Sequence, residues 1–366
     1  MCRVDYVDMA AQFAADRDAL MAIAERVFEG GMWVGGDDVE AFEAALTAYT
    51  GAAHAVAVSS GTDALILALK ALDIGPGDEV IVPPNSFIAS AAAVVHVGAT
   101  PVFADVLNDQ NVDPTAVEAA VSDRTRAIMP VHLTGRVCRM DEIGAIAERH
   151  DLRVIEDAAQ SMGSKLGSRM AGTFGDVGCF SAHPLKNLNA MGDAGYALTD
   201  DVEVAARMHR LRNNGLADRD TVVEWGFVDR MDSLQAAVLT RRLDLLDGVV
   251  GRRRANVGLY RDLLDPAHVY WPPCRNDEFN TFHTFVVQVD RRDDLRAHLA
   301  DHGIGSAIHY PVPIHLQPAA ASLGYSAGAF PVAERQAGRI VSLPVHQFLE
   351  PDDIRHVADT VNGFYR

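Results

Sequence analysis

From about His54 to Leu198, short β-branched runs alternate with alanine-rich, helix-forming stretches. This is the rhythm of repeated strand–helix units around a mostly parallel sheet. The spacing predicts strands at 54–58, 79–82, 100–104, 127–131, 153–156 and 195–198. After Met231 the rhythm changes: a long helical stretch runs from 233 to about 263, residues 284–289 alternate as a strand, and 293–302 read as a helix. A segment rich in proline and histidine follows at 309–318. A larger domain joined by a long helix to a smaller α/β domain accounts for this change. The one long apolar stretch, 87–104, is broken by His96, Gly98 and Pro101, so it reads as a buried helix followed by a strand and not as a membrane span.

The chain of 366 residues is long enough to bury a large core, and two closely joined domains suit that length. A formal net charge of −18 disfavours nucleic acid and anionic membrane as partners, because both demand a basic surface. Any anion site must therefore be assembled from backbone N–H groups and a few selected side chains. Cys2, Cys138, Cys179 and Cys274 are too scattered for a CxxC pair or a disulfide framework, and the N-terminus lacks the basic start and apolar core of a signal peptide. A reducing, cytoplasmic setting is expected.

Three segments carry candidate chemistry. Ser59-Ser60-Gly61-Thr62-Asp63 follows a predicted strand and opens a helix, where free N–H groups and the helix dipole favour either a phosphate or an ordinary N-cap. Glu156 and Asp157 sit at the carboxyl end of a hydrophobic strand, the edge at which open α/β sheets bind ligands; capping the next helix is the other reading. Lys186 lies in Phe180-Ser181-Ala182-His183-Pro184-Leu185-Lys186-Asn187, a mostly uncharged stretch, and is read either as a solvated loop lysine or as a desolvated, nucleophilic amine. Pyridoxal phosphate needs a lysine for its aldehyde, an acid for its pyridinium nitrogen and an anion site for its phosphate. All three fall on predicted sheet-edge loops of one domain. No glycine-rich dinucleotide fingerprint or Walker A sequence competes.

At these residues the chain resembles the sugar aminotransferases of the DegT/DnrJ/EryC1/StrS family. The likeness runs in order through AVAVSSGTDAL, GPGDEVIVPPNSFIASA, VIEDAAQSMGS, FSAHPLKNLNAMGDAG, RMDSLQAAVL and HYPVPIHLQP. It implies an aspartate-aminotransferase-like α/β fold of type I. A large domain over 1–240, with a mostly parallel seven-stranded sheet between helices, would be joined to a smaller C-terminal α/β domain over 241–366. The resemblance further implies pyridoxal 5′-phosphate as cofactor, with Lys186 as its Schiff-base lysine and Asp157 paired to its ring nitrogen. Gln160 would stand near the phenolic oxygen, Phe87 would stack on the ring, and Gly61, Thr62 and Ser181 would bind the phosphate. Trp33, His183, His309 and His315 fall at positions near a sugar substrate, with packing as the alternative for Trp33 and His183 and metal binding the alternative for His309 and His315.

The sequence departs from the family at three places. Val228 stands where an asparagine often reaches the partner's phosphate site, leaving Arg230 as a neighbouring donor. Ala194 replaces a glycine after the lysine, and Ser-Ala-His-Pro replaces an aromatic-rich run before it.

The implied reaction transfers an amino group from L-glutamate or L-glutamine to a keto-sugar, foremost a nucleotide-linked 3-keto- or 4-keto-6-deoxyhexose. A keto-cyclitol or free keto-sugar is the alternative acceptor. A dehydratase relative would carry histidine in place of Lys186, and a non-catalytic sensor on the same scaffold is the rival from another class. A homodimer with shared active sites is also implied. The acidic pairs Asp200-Asp201 and Asp352-Asp353 are read as solvated caps or turns.

Overall fold

The computed structural model describes residues 3–366, so Cys2 lies outside the described residues. Seven strands lie side by side in the order His54–Val58, Gly195–Thr199, Val177–Ser181, Arg153–Asp157, Thr125–Ile128, Glu79–Val82 and Thr100–Phe103. Only Gly195–Thr199 runs antiparallel to its neighbours, as expected of a mostly parallel sheet closed by one reversed strand.

The period-2 alternation of each strand feeds two cores. Val56 and Val58 pack with the helices Gly61–Ala71, Ile88–His96 and Val202–Leu211 on one face. Ala55 and Ala57 face the helices Asp37–Thr50 and Ser233–Leu243 on the other, around Phe42, Tyr196 and Leu239. Burial on both faces explains why the strands read as continuous apolar runs.

Four sequence expectations need correction. Val177–Ser181 is a strand in the middle of the sheet that the spacing does not predict; its Gly178 packs so closely on Gly172 that a Cβ there would strike backbone. The strand expected at 127–131 is Thr125–Ile128, because Pro130 has no N–H for a ladder; beyond it the pairing continues only as a single bridge from Val131 to Asp157. The helical stretch 233–263 is two helices, Ser233–Leu243 and Leu246–Leu263, offset at Asp244 and Leu245. Both linking residues keep nearly right-handed dihedrals, so no breaker residue marks the joint. The helix Ile88–His96 is buried along one side only, since Ile88 and Val95 are exposed.

The strands Val269–Tyr270, Phe285–Val289 and Ile340–Leu343 form a second, antiparallel sheet. The helices Leu246–Leu263, Arg292–Asp301 and Pro351–Phe364 cover it around Tyr260, Phe285, Leu299 and Val357. Val4 joins this core, so the N-terminal strap crosses from one end of the chain to the other. The acidic pairs act as caps and turns: Asp201 accepts from the Glu203 and Val204 amides, Asp200 from Ala53 and Asp353 from Glu350.

A buried pair ties the large sheet's loops to the later part of the chain. Arg136 donates to Glu278 at 2.7 Å and to the Pro272 and Pro273 carbonyls, and is 2% exposed. Removing one partner of such a pair strands the other charge out of water, at about 3–5 kcal/mol. Arg136→Met is therefore expected to lower unfolding stability in urea by about 3 kcal/mol; a change under 1 kcal/mol would show that the pair is not a tie.

Candidate active site

The strand Arg153–Asp157 ends in two carboxylates that its alternation sends to opposite sides. Glu156 is fully buried, accepts from the amides of Gly172, Phe174 and Gly175, and meets His132 Nε2 at 2.7 Å. It is a structural clamp. Asp157 faces the sheet's carboxyl edge, where Oδ2 accepts from Ser90 Oγ at 2.6 Å and Oδ1 from the Ala159 amide at 3.2 Å.

Beside it, the helix Gly61–Ala71 begins. Ser60 caps it by accepting from the Asp63 amide, and the first i→i−4 bond is that of Ala64 to the Ser60 carbonyl. The amides of Gly61 and Thr62 precede that bond and are free to meet an anion. A Cβ on Gly61 would come within 2.6 Å of the Ser181 Cβ, and one on Gly195 would run into the Ser60 carbonyl and the Gly61 nitrogen. Only glycines let helix start, Ser181 and the reversed strand converge into one cradle. Ala194 is buried and keeps a negative φ, so the missing glycine of that turn costs no strain.

Lys186 is one of only three lysines in the chain, with Lys70 and Lys165. It closes a tight turn in which its amide donates to the His183 carbonyl and the Leu185 amide to His183 Nδ1. His183, exposed, thus serves the turn. Burial pulls the Lys186 ammonium down to about 8, against the opposing pull of the Asp157 charge. His309, bonded through Nδ1 to Ser342 Oγ, is held down to about 4, first by burial and then by Lys186. His283 is pushed well below its ordinary value by burial, then by Lys186 and Arg253. Two neutral imidazoles therefore lie within electrostatic reach of the amine.

Gln160 accepts from the Thr134 amide and donates to the Tyr310 hydroxyl at 3.3 Å. The Phe87 ring stands 5.6 Å from that of Tyr310 and leaves its other side open, 56% exposed. Trp33 is also exposed. His315 sits apart from this group: it is buried, bonded through Nε2 to Glu334 and packed edge-on against Phe330, with Nδ1 unpartnered. Val228 and Arg230 are exposed, and Arg230 donates to Asn213.

Ser90, Tyr310 and His283 belong to this neighbourhood without having been singled out from the sequence. A serine inside an apolar helix is a weak signal for Ser90, and adjacency to His309 one for Tyr310; nothing marks His283. The cradle, the facing carboxylate, the low-pKa amine and the open aromatic face together fit pyridoxal phosphate.

The profile of the DegT/DnrJ/EryC1/StrS aminotransferase family matches residues 15–362. The chain is 42% identical to a dTDP-3-amino-3,4,6-trideoxy-alpha-D-glucose transaminase of Streptomyces venezuelae, covering 98% of this chain and 95% of that protein. It is 40% identical to a UDP-N-acetyl-3-dehydro-alpha-D-glucosamine 3-aminotransferase of Acidithiobacillus ferrooxidans, covering 98% and 97%. The crystal structure of DesV from S. venezuelae, in complex with a ketimine intermediate, superposes with a TM-score of 0.97 at 42% identity, covering 100% of this chain and 99% of that one.

A lysine reacts as its neutral amine, so acylation of Lys186 in the cofactor-free protein is expected to climb about tenfold per pH unit and level off above pH 8. Peptide-resolved mass spectrometry reads this directly; a rise continuing to pH 10 would place the amine in water.

Proposed function

Because the chain belongs to the DegT/DnrJ/EryC1/StrS aminotransferase family, and is a pyridoxal-phosphate-dependent sugar aminotransferase, we propose that it moves the amino group of L-glutamate or L-glutamine to a nucleotide-linked 3-keto-hexose. The observation that carries the site assignment is the half-buried Lys186 amine, set within electrostatic reach of Asp157 at the sheet edge that also holds the Gly61 and Ser181 cradle. The names of the two relatives support the acceptor: each carries a nucleotide and an amino group at position 3.

The residues divide the work as follows. The amides of Gly61 and Thr62 and the Ser181 hydroxyl bind the cofactor's phosphate. Asp157, steadied by Ser90, holds a proton on the ring nitrogen, and the open side of Phe87 bears on the ring. Gln160, already bonded to Tyr310, stands by its phenolic oxygen. When bound, the cofactor supplies an aldehyde that accepts nitrogen and a ring that takes up the electron pair of a breaking C–H bond. Lys186 Nζ carries the protons: neutral, it takes one from the donor's Cα, and in the second half it returns one to the sugar carbon that gains nitrogen. Neutral His283 and His309 leave the site's positive charge to Lys186. Trp33, which is exposed, is the residue that would cover the sugar in this reading.

The protein works in this reading as a cytoplasmic homodimer. No helix among the described residues is long and apolar enough to cross a membrane, and Cys138, Cys179 and Cys274 are free thiols. The exposed apolar side chains Phe28, Met32, Trp33, Val223, Trp225 and Val228 are the surface a second copy would cover.

Borohydride reduction of the cofactor-loaded protein should leave a pyridoxyl group on the Lys186 peptide and on neither Lys70 nor Lys165. Lys186→Ala should lower turnover by roughly 10³-fold or more while the fold persists by circular dichroism; label on another lysine would remove the assignment. A panel of dTDP- and UDP-linked 3-keto- and 4-keto-hexoses, a keto-cyclitol and a free keto-sugar, each with L-glutamate and read by 2-oxoglutarate release, separates the acceptors. Fastest release with a compound other than a nucleotide-linked 3-keto-hexose would overturn that choice. Sedimentation at micromolar concentration should give twice the chain mass.

A further inference from the structure

The surface of this chain is strongly acidic, yet one cleft of about 350 Å³ is lined by Lys186, Arg241, Arg242, Arg252 and Arg253 against only two carboxylates, Asp8 and Asp16. Each carboxylate has one oxygen engaged, while Asp16 Oδ2 is buried without a partner. Asp8 accepts from the Ala11 amide at the start of the helix Met9–Gly30, and Asp16 pairs with Arg241 at 3.5 Å. Arg252 reaches Glu350 at the rim.

Arg253 differs from the others. It is 8% exposed and donates through Nη1 to the carbonyls of Phe282 and His283, but its buried Nε has no hydrogen-bond partner and, among the described residues, no carboxylate lies within ion-pair distance. A guanidinium taken out of water needs a compensating charge, and the fold supplies none. Burial accordingly pulls it down to about 10, relieved only by the Tyr6 phenol. His346 and Gln347, on the same wall, also keep buried polar atoms without partners. His283 lies within electrostatic reach of both Lys186 and Arg253 and so links the cation to the reacting amine.

We propose that this cleft is a carboxylate-binding site that seats the acidic groups of the amino donor beside Lys186, with Arg253 as its anchoring cation. The inference rests on the aminotransferase reading above and adds to it where the donor lies. The donor's α-carboxylate is one bond from the Cα that must meet the lysine amine, and this cleft, which Lys186 lines, offers it a buried cation. The diphosphate of a nucleotide-linked 3-keto-sugar is separated from its reacting carbon by the sugar ring and has no such requirement. Arg253 recognises charge here and touches no reacting atom. Gln12, bonded both ways to Asn189, is a neutral wall of the same cleft and reports on it independently.

The test is calorimetric titration of glutarate, an unreactive dicarboxylate, into the cofactor-loaded protein, with Arg253→Gln and Gln12→Glu as variants and melting curves to verify folding. The wild-type protein is expected to bind glutarate, Arg253→Gln to weaken it tenfold or more, and Gln12→Glu severalfold by placing a negative charge in the wall. KM for L-glutamate should rise in parallel, while the half-reaction with the amino-sugar changes less than twofold. Should Arg253→Gln fail to fold, Gln12→Glu decides. Undetectable glutarate binding by wild type, unchanged binding in the folded variants, or a loss confined to the amino-sugar half-reaction would each overturn the proposal, the last assigning the cleft to the sugar's phosphates. The absence of any spectral change with L-glutamate in wild type would instead count against the donor named under the proposed function. Glutarate binding, read without turnover, keeps the two failures distinct.

Discussion

The hydrogen-bond clamp on Glu156 is the constraint on which the active edge depends. A buried carboxylate is tolerable only when its oxygens are fully engaged, and here three amides of one loop and His132 engage them. That set of bonds folds the loop after Ala171 back under the strand Arg153–Asp157 and leads the chain into Val177–Ser181, the next strand of the sheet. It also fixes the strand's face. Because neighbouring side chains point opposite ways, holding Glu156 inward commits Asp157 to the ligand edge.

From that edge the other parts take their places by close approach. Two glycines allow a helix start, a hydroxyl and a reversed strand to meet in a cradle that any Cβ would fill. Ser90 reaches Asp157 from the helix below, and Tyr310 reaches Gln160 from the later part of the chain. Long-range contacts of this kind position the amine with little direct bonding, and burial alone brings its pKa toward the range in which it can exchange protons at neutral pH.

Charge is distributed with the same economy. The chain is acidic overall, so most of its arginines are consumed by surface carboxylates, whereas Arg242 and Arg253 bond chiefly to main-chain carbonyls. The neutral state of His283 and His309 keeps the neighbourhood of Lys186 from becoming more positive and raising the cost of its protonated form further. An acidic protein with a local cationic cleft draws small anions to one place without acquiring a general affinity for polyanions.

Much was legible in the sequence because it rests on local rules. Strand–helix alternation announced the parallel sheet, a strand followed by Ser-Gly-Thr announced a helix start, and the ordered run of motifs identified the family. The strand Val177–Ser181 escaped because its small, doubly buried residues resemble a loop, and the joint at Asp244 escaped because no breaker residue makes it. Only the tertiary structure could decide which of two adjacent carboxylates is clamped by loop amides and that His315 packs on Phe330 and Glu334. It alone could show that Ser90 meets Asp157, that Tyr310 meets Gln160, and that His283 lies within electrostatic reach of both Lys186 and Arg253. Those facts depend on which surfaces meet across the fold, and residue order along the chain does not encode such meetings by any local period.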